Sequence, residues 1–353
     1  MIYPKFIKKG DIIGVTATSD GVDDELDIKR FENAKMKLQE KGYDVIFTDN
    51  VFKADSQGRS SLGSVRGEEF NGLLSNDRVS GIIAAKGGNF LNEMLEYVDY
   101  EKFVSNPKWF QGYSDNTGLV HTLTTKYDVA TIYGSNFGEF GMNDWHKSVN
   151  DNLAILEGKN IIQTSYDKYQ HELTDRITGL EGYECDTKVE WKIDKRTAKK
   201  SDSIEMSGRF IGGCLDVLLF LQGTQYDGTQ EFIEKYKEDG IIWYLESFDI
   251  SGENIMMFLW KLKEIGWFKY TKGFMFGRPL FYKDFTGTDY EEAVMYALGK
   301  LDVPVIFDCD FGHRGPRMTM INGAIANVKC DKGNVGTIEY LSLIHISEPT
   351  RLR

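Results

Sequence analysis

The chain has 353 residues, 41% hydrophobic and 27% charged, which is a globular composition long enough for two hydrophobic cores. Its formal net charge of -12 opposes binding to nucleic-acid backbones, and its densest basic runs, Lys195-Arg196 and Lys199-Lys200, sit among Asp194, Asp202 and Glu205 as in a solvated loop. No apolar run approaches the roughly 20 residues that span a bilayer, and the first ten residues lack the apolar stretch of a leader, so a cytoplasmic protein without a membrane partner is expected.

Short apolar runs alternate with helical patterns through the first half. Residues 11–18 read as a buried strand. Residues 24–41 carry Leu26, Phe31, Ala34 and Leu38 at helical spacing, with Gly42 placed to end the helix. Strands follow at 44–49, 81–86, 109–113 and 129–133. Between them lie helices at 65–74 and 90–98 and one built on Leu119, Val120 and Leu123. This β-α-β-α order predicts a doubly wound parallel sheet, in which ligands bind beyond the carboxyl ends of the strands. Gly87-Gly88 and Ser114 fall at those ends.

From 162 to 213 the periodicity weakens, and an interdomain crossing with a long loop around Trp191 is expected. Order returns with an apolar helix at 215–221, a strand at 241–246 ending in Glu246, and a helix at 253–265. A strand at 274–277 precedes a helix from the capping-box spacing Thr288–Glu291 to about 301. Strands at 303–308, 318–328 and 337–341 complete a second, smaller α/β domain. The expected boundaries are 1–165 for the first domain, 166–213 for the crossing and substrate loop, and 214–341 for the second. Residues 342–353 read as a translated cloning scar, so His345 is set aside.

Ser114 stands in Gly112-Tyr113-Ser114-Asp115-Asn116, at a strand-to-helix turn. Such a turn exposes a serine hydroxyl and aims it at free helix N–H groups, which suits a nucleophile. Asn116 occupies the place of the closing glycine in Gly-x-Ser-x-Gly, and a helix-capping serine is the alternative. His313, in Phe311-Gly-His-Arg-Gly-Pro316, lies on a glycine- and proline-bound loop after a strand, where a general base or a surface histidine both fit. Glu246 at the tip of a buried strand needs a partner, either a histidine ring or a salt bridge. Gly87-Gly88 offers backbone N–H to an oxyanion, or simply a tight turn. Cys185, Cys214, Cys309 and Cys330 form no Cys-x-x-Cys pair and read as isolated thiols, and no metal-ligand spacing or nucleotide-binding glycine motif is present.

In combination, Lys9-Gly-Asp-Ile-Ile-Gly-Val, Lys86-Gly-Gly-Asn, Gly112-Tyr-Ser-Asp, Gly212-Gly-Cys-Leu-Asp-Val-Leu, Leu245-Glu-Ser and Phe311-Gly-His-Arg-Gly-Pro occur in an order that resembles the LD-carboxypeptidase family of serine peptidases, over residues 5–341. The resemblance implies a flavodoxin-like N-terminal domain carrying the nucleophile and a C-terminal domain carrying Glu and His. It also implies a site between the two, no metal or cofactor, and usually a homodimer. Carried onto matching positions, Ser114 is nucleophile, His313 base and Glu246 its orienter, with Gly88 and Asp115 supplying oxyanion N–H groups and Gly87 and Asn89 lining the substrate. The family often has tyrosine where Asn89 stands. One branch trims terminal D-alanine from muropeptide tetrapeptides, and a microcin-immunity branch cleaves peptidyl- or aminoacyl-nucleotides. Glu190-Trp-Lys192, within residues 182–209, resembles the aromatic loop of the immunity branch, so Trp191 is expected to stack on a base, with packing on its own domain as the alternative. A non-catalytic ligand clamp on the same scaffold is the rival to an enzyme.

Overall fold

The computed structural model describes residues 1–197 and 202–343. Of the expected non-native tail only Ser342 and Leu343 are described. The Ser342 hydroxyl accepts the Ile325 N–H and Leu343 is buried. His345 and Lys199-Lys200 lie outside the described residues. The chain forms two compact units. The first comprises Met1–Lys159, Leu173–Glu184 and Met318–Asn322, and the second comprises Asn160–Glu172, Cys185–Arg317 and the residues from Gly323 onward.

In the first unit, strands β1 (Ile12–Thr16), β2 (Asp44–Phe47), β3 (Val79–Ala84), β4 (Trp109–Gly112) and β5 (Thr131–Tyr133) are parallel in the order β2-β1-β3-β4-β5. Their near-continuous apolar sequence fits burial on both faces. Helices α1 (Glu25–Glu40), α2 (Gly63–Ser75), α3 (Tyr100–Ser105), α4 (Thr117–Thr125) and α5 (Lys147–Leu156) connect or follow them. The Asp24 carboxylate accepts the Leu26 and Asp27 N–H groups to start α1, which buries Phe31, Ala34 and Leu38 and ends before Gly42 at φ 96°. The stretch expected as a helix at 90–98 is a 3-10 helix, Leu91–Tyr97. Strand order reverses between β1 and β3, so the loops after β1, β3 and β4 open on the same carboxyl edge.

The second unit holds β6 (Ile162–Thr164), β7 (Lys168–Tyr169), β8 (Thr187–Lys188), β9 (Lys192–Ile193) and β10 (Ile204–Cys214), then α6 (Leu215–Leu221), α7 (Thr229–Lys235), β11 (Ile241–Glu246), α8 (Gly252–Glu264), β12 (Thr271–Gly277), α9 (Tyr290–Leu298) and β13 (Val305–Cys309). After Met320–Asn322, counted as β14, come β15 (Ile325–Cys330) and β16 (Gly336–Tyr340). Its eight-stranded sheet runs β6-β16-β15-β10-β11-β12-β13-β9, with β10 through β13 parallel. Stacked Trp243 and Trp267, with ring centroids 5.5 Å apart, anchor one face of its core.

Three differences from the sequence reading have local causes. The long loop expected to reach 209 ends earlier, because Ile204, Met206 and Gly208 alternate with Glu205 and Ser207 and build the outer half of β10. Residues 318–328, expected as one strand, are two strands in different sheets. β14 pairs with β5, Gly323 turns at φ 86°, and β15 pairs with β10. The capping box begins one residue later than expected, as Asp289 rather than Thr288 accepts the Glu292 N–H. Cys214, Cys309 and Cys330 are buried free thiols and Cys185 is a half-buried one. Among the described residues no helix is long and apolar enough to cross a membrane.

Candidate active site

In the first unit β4 lies between β3 and β5 with all four residues buried, which fixes where its carboxyl end emerges. The chain then turns at once into a 3-10 turn, Ser114–Asn116, and α4. Ser114 carries φ 63°, a left-handed conformation costly for a side chain with Cβ. The strain is held by the Tyr133 hydroxyl, which accepts the Ser114 N–H at 3.2 Å, and by the Thr117 hydroxyl, which donates to the Ser114 carbonyl at 2.7 Å. Asn136 accepts the Tyr113 N–H at 3.1 Å. Asn116 explains the missing glycine of the motif. Its amide donates to the carbonyls of Lys86 and Tyr113 at 3.0 and 3.1 Å, and its oxygen accepts from the Thr18 hydroxyl at 2.5 Å. One buried side chain thus ties the serine turn to the loop after β3.

That loop brings the glycine pair to the serine. A Cβ on Gly87 would stand 3.0 Å from Ser114 Cβ and 3.1 Å from its Oγ, with the Asp115 nitrogen at 3.8 Å. Gly88, at φ 152°, backs onto the Asp20 carboxylate and the Ser19 hydroxyl, and a Cβ there would overlap both. The Asp115 carboxylate faces inward. It accepts from the Ser19 hydroxyl at 2.5 Å and the Leu91 N–H at 2.8 Å, and burial raises its pKa against these bonds. Asp115 therefore offers chemistry through its backbone. Asn89 is exposed beside the pair. Gly88→Ala is expected to reduce stability by about 1–3 kcal/mol, because the side chain meets a carboxylate in a glycine conformation. Urea unfolding measures this, with Gly72→Ala, where a Cβ meets open space within α2, as the contrast.

In the second unit Glu246 is the last residue of β11 and is fully buried. Its Oε2 lies 2.8 Å from His313 Nδ1, and the imidazole is 8% exposed. Small neighbours make room for this pair. A Cβ on Gly312 would approach Glu246 Oε2 to 2.8 Å, and one on Gly277 would approach Glu246 Cβ to 3.0 Å. The His313 loop is braced by Arg317, which donates to the Gly312 carbonyl at 2.8 Å, and by Arg314, which donates to the Pro279 carbonyl at 2.9 Å. Burial alone would lower the His313 pKa, but the Glu246 carboxylate and then Asp216 override it, so the net shift is upward. The other described histidines have different roles. His121 is buried within α4, His146 caps α5, and His171 accepts from Arg314.

Cys214, paired in register with Glu246, completes a thiol, carboxylate and imidazole group whose ligand atoms lie within 4.8 Å of one another. Burial and the neighbouring Glu246 and Asp216 push the Cys214 thiol well up, which disfavours the thiolate a metal would need.

Trp191 requires a correction. It is fully buried, donates from Nε1 to Asp310 at 3.0 Å, and its ring fills the space above Gly336. Asp310 also binds Arg278 at 2.8 Å. The indole is thus core and presents no face for a base. Trp191→Ala is expected to destabilise by about 3–5 kcal/mol, read as a lowered melting temperature. Sequence reasoning missed Tyr133, Asn136 and Asp216 entirely, and of these only Asp216 lies within a quoted motif.

Two family profiles match this chain, described as the LD-carboxypeptidase N-terminal domain over residues 13–134 and the C-terminal domain over residues 207–328. The microcin C7 self-immunity protein MccF of Escherichia coli is 25% identical over 351 residues, covering 94% of this chain and 95% of that protein. A structure of MccF in complex with aspartyl sulfamoyl adenosine matches at a TM-score of 0.77 and 23% identity, over 96% of this chain and 98% of that one. The crystal structure of a MccF-like protein from Bacillus anthracis matches at 0.77 and 25% identity, over 96% and 99%. A muramoyltetrapeptide carboxypeptidase from Oxalobacter formigenes shares the fold at 0.70 and 19% identity, over 93% and 98%.

Proposed function

The chain belongs to the LD-carboxypeptidase family of serine carboxypeptidases, and we propose that Ser114, His313 and Glu246 form its catalytic triad. The single observation that carries the reading is Ser114, a non-glycine residue held at φ 63° on a strand-to-helix turn against a glycine pair. In this reading Ser114 Oγ attacks the amide carbonyl carbon while His313 takes its proton. The N–H groups of Asp115 and Gly88 hold the oxyanion. The C–N bond breaks as His313 returns the proton to the leaving nitrogen, and water, deprotonated by His313, then hydrolyses the acyl-serine. Glu246 fixes the imidazole tautomer through Nδ1 and stabilises the imidazolium. No step calls on a metal.

The substrate proposed is an aminoacyl- or peptidyl-nucleotide cleaved at its amide, supported by likeness to MccF across nearly the full chain. A muropeptide tetrapeptide losing D-alanine is the second reading, favoured by burial of Trp191, which removes the expected base-stacking ring. The experiment offers the protein aminoacyl sulfamoyl adenosine and an L,D-tetrapeptide side by side, with a fluorophosphonate probe in parallel. Release of sulfamoyl adenosine with labelling at Ser114 is expected. Release of D-alanine alone would replace the first substrate by the second, and ligand binding with no labelling would favour a clamp. A homodimer remains part of the proposal, to be read from light scattering.

A further inference from the structure

The motif Gly212-Gly-Cys-Leu-Asp-Val-Leu has no role in the reaction as described. Its geometry is specific. Gly212 has no room for a Cβ against the Tyr244 carbonyl, and Gly213 is at φ 139°. Two glycines therefore let β10 run tightly along β11 to the last pair, Cys214 opposite Glu246. The chain then enters α6, and Asp216 falls in its first turn. The Asp216 carboxylate turns back to the loop after Glu246. Oδ2 accepts the Phe248 N–H at 2.8 Å and Oδ1 accepts the Asp249 N–H at 3.0 Å. The Cys214 thiol donates to Oδ2 at 3.3 Å. Held this way, the Phe248 ring lies 4.8 Å from the His313 ring, tilted by 49°.

We propose that Asp216 is a positioning residue for His313, acting through two backbone bonds that seat the Phe248 ring against the imidazole. Glu246 fixes the ring through one nitrogen, which leaves rotation about that bond open. Phe248 against the face closes it, and the second nitrogen then keeps one direction. Carboxylate bonds to backbone N–H groups are among the stronger ones available to brace a loop. Among the described residues, the ionisable groups facing His313 are Glu246 at the end of β11, Asp216 in α6 and the Cys214 thiol at the end of β10. Asp216 also adds negative charge that favours the imidazolium.

The inference rests on the proposed triad only in treating His313 as the base, and its test is separable. The full-length chain is titrated by NMR, following the His313 imidazole, assigned by its loss in His313→Gln. Asp216→Asn is expected to move the His313 midpoint to lower pH, and to lower kcat roughly 10-fold with KM little changed, since small misplacements of a catalytic group act on turnover. Phe248→Leu keeps the backbone N–H and the charge, so it is expected to lower kcat while leaving the midpoint in place. A folded Asp216→Asn protein with wild-type midpoint and kcat would overturn the inference. So would Phe248→Leu with wild-type kcat, which covers the case in which Asp216→Asn fails to fold. Full activity in His313→Gln would instead remove the triad reading, a different result from either.

Discussion

Ser114→Ala is expected to lower kcat by a factor of about 10⁴ to 10⁶, the range for loss of a serine nucleophile whose binding and oxyanion groups remain. The protein should fold normally, because alanine inherits the same φ of 63° and the bonds that hold the turn involve the backbone of residue 114. Ser114→Gly separates chemistry from strain. Glycine adopts this conformation freely, so the glycine variant should be more stable than the alanine variant by about 1 kcal/mol, with activity equally lost. Equilibrium unfolding of the three proteins measures the difference. Equal stability of the two variants would mean that the turn stores no strain, and near-wild-type turnover in either would remove Ser114 as nucleophile.

Glu246→Gln carries the second large effect, a fall in kcat of about 10⁴. The amide preserves the shape of the buried side chain but withdraws the charge that orients the imidazole. The pH dependence has a definite sign. Burial opposes the charged ring but Glu246 and Asp216 hold the His313 pKa above its ordinary value, so, with His313 as the proposed base, the acid limb of kcat/KM is expected above the ordinary histidine range. Glu246→Gln should move what remains of that limb to lower pH. Stability runs the other way. A group whose pKa is higher folded than unfolded stabilises the fold fully below its unfolded value and loses that contribution as pH rises through the folded value. The His313–Glu246 pair therefore supports the fold most where His313 is protonated, the form that the proposed mechanism cannot use as a base. Melting curves at several pH values should show this slope in the wild type and a flatter one in Glu246→Gln.

The reach of local sequence differs between Ser114 and the Glu246–His313 pair. The strand-to-helix turn at Ser114 could be read from Gly112-Tyr-Ser-Asp because a strand, a sharp turn and a helix are local events within a few residues. The glycine pair was legible for the same reason. Glu246 and His313 were each recognisable only as a charged residue at a strand end or on a rigid loop, with a bland alternative for both. Their 2.8 Å contact joins residues 67 positions apart, and the lateral order of β10 to β13 decides it. Asn116 looked like a flaw in the motif, and it is a buried connector whose partners Thr18 and Lys86 lie in the loops after β1 and β3.

Sequence by itself determined the alternation of strands and helices, the α/β class, and the turns at Gly87-Gly88 and Ser114. Those features depend on periodicity and on the φ each residue tolerates, which neighbours along the chain establish. Tertiary structure alone decided that Trp191 is core, that residues 318–328 divide between two sheets, and that Asp216 reaches back to Phe248. Burial, sheet membership and long-range hydrogen bonds depend on which distant segments arrive at the same place, and no local pattern in residues 182–209 encoded that Asp310 and Gly336 would enclose the indole.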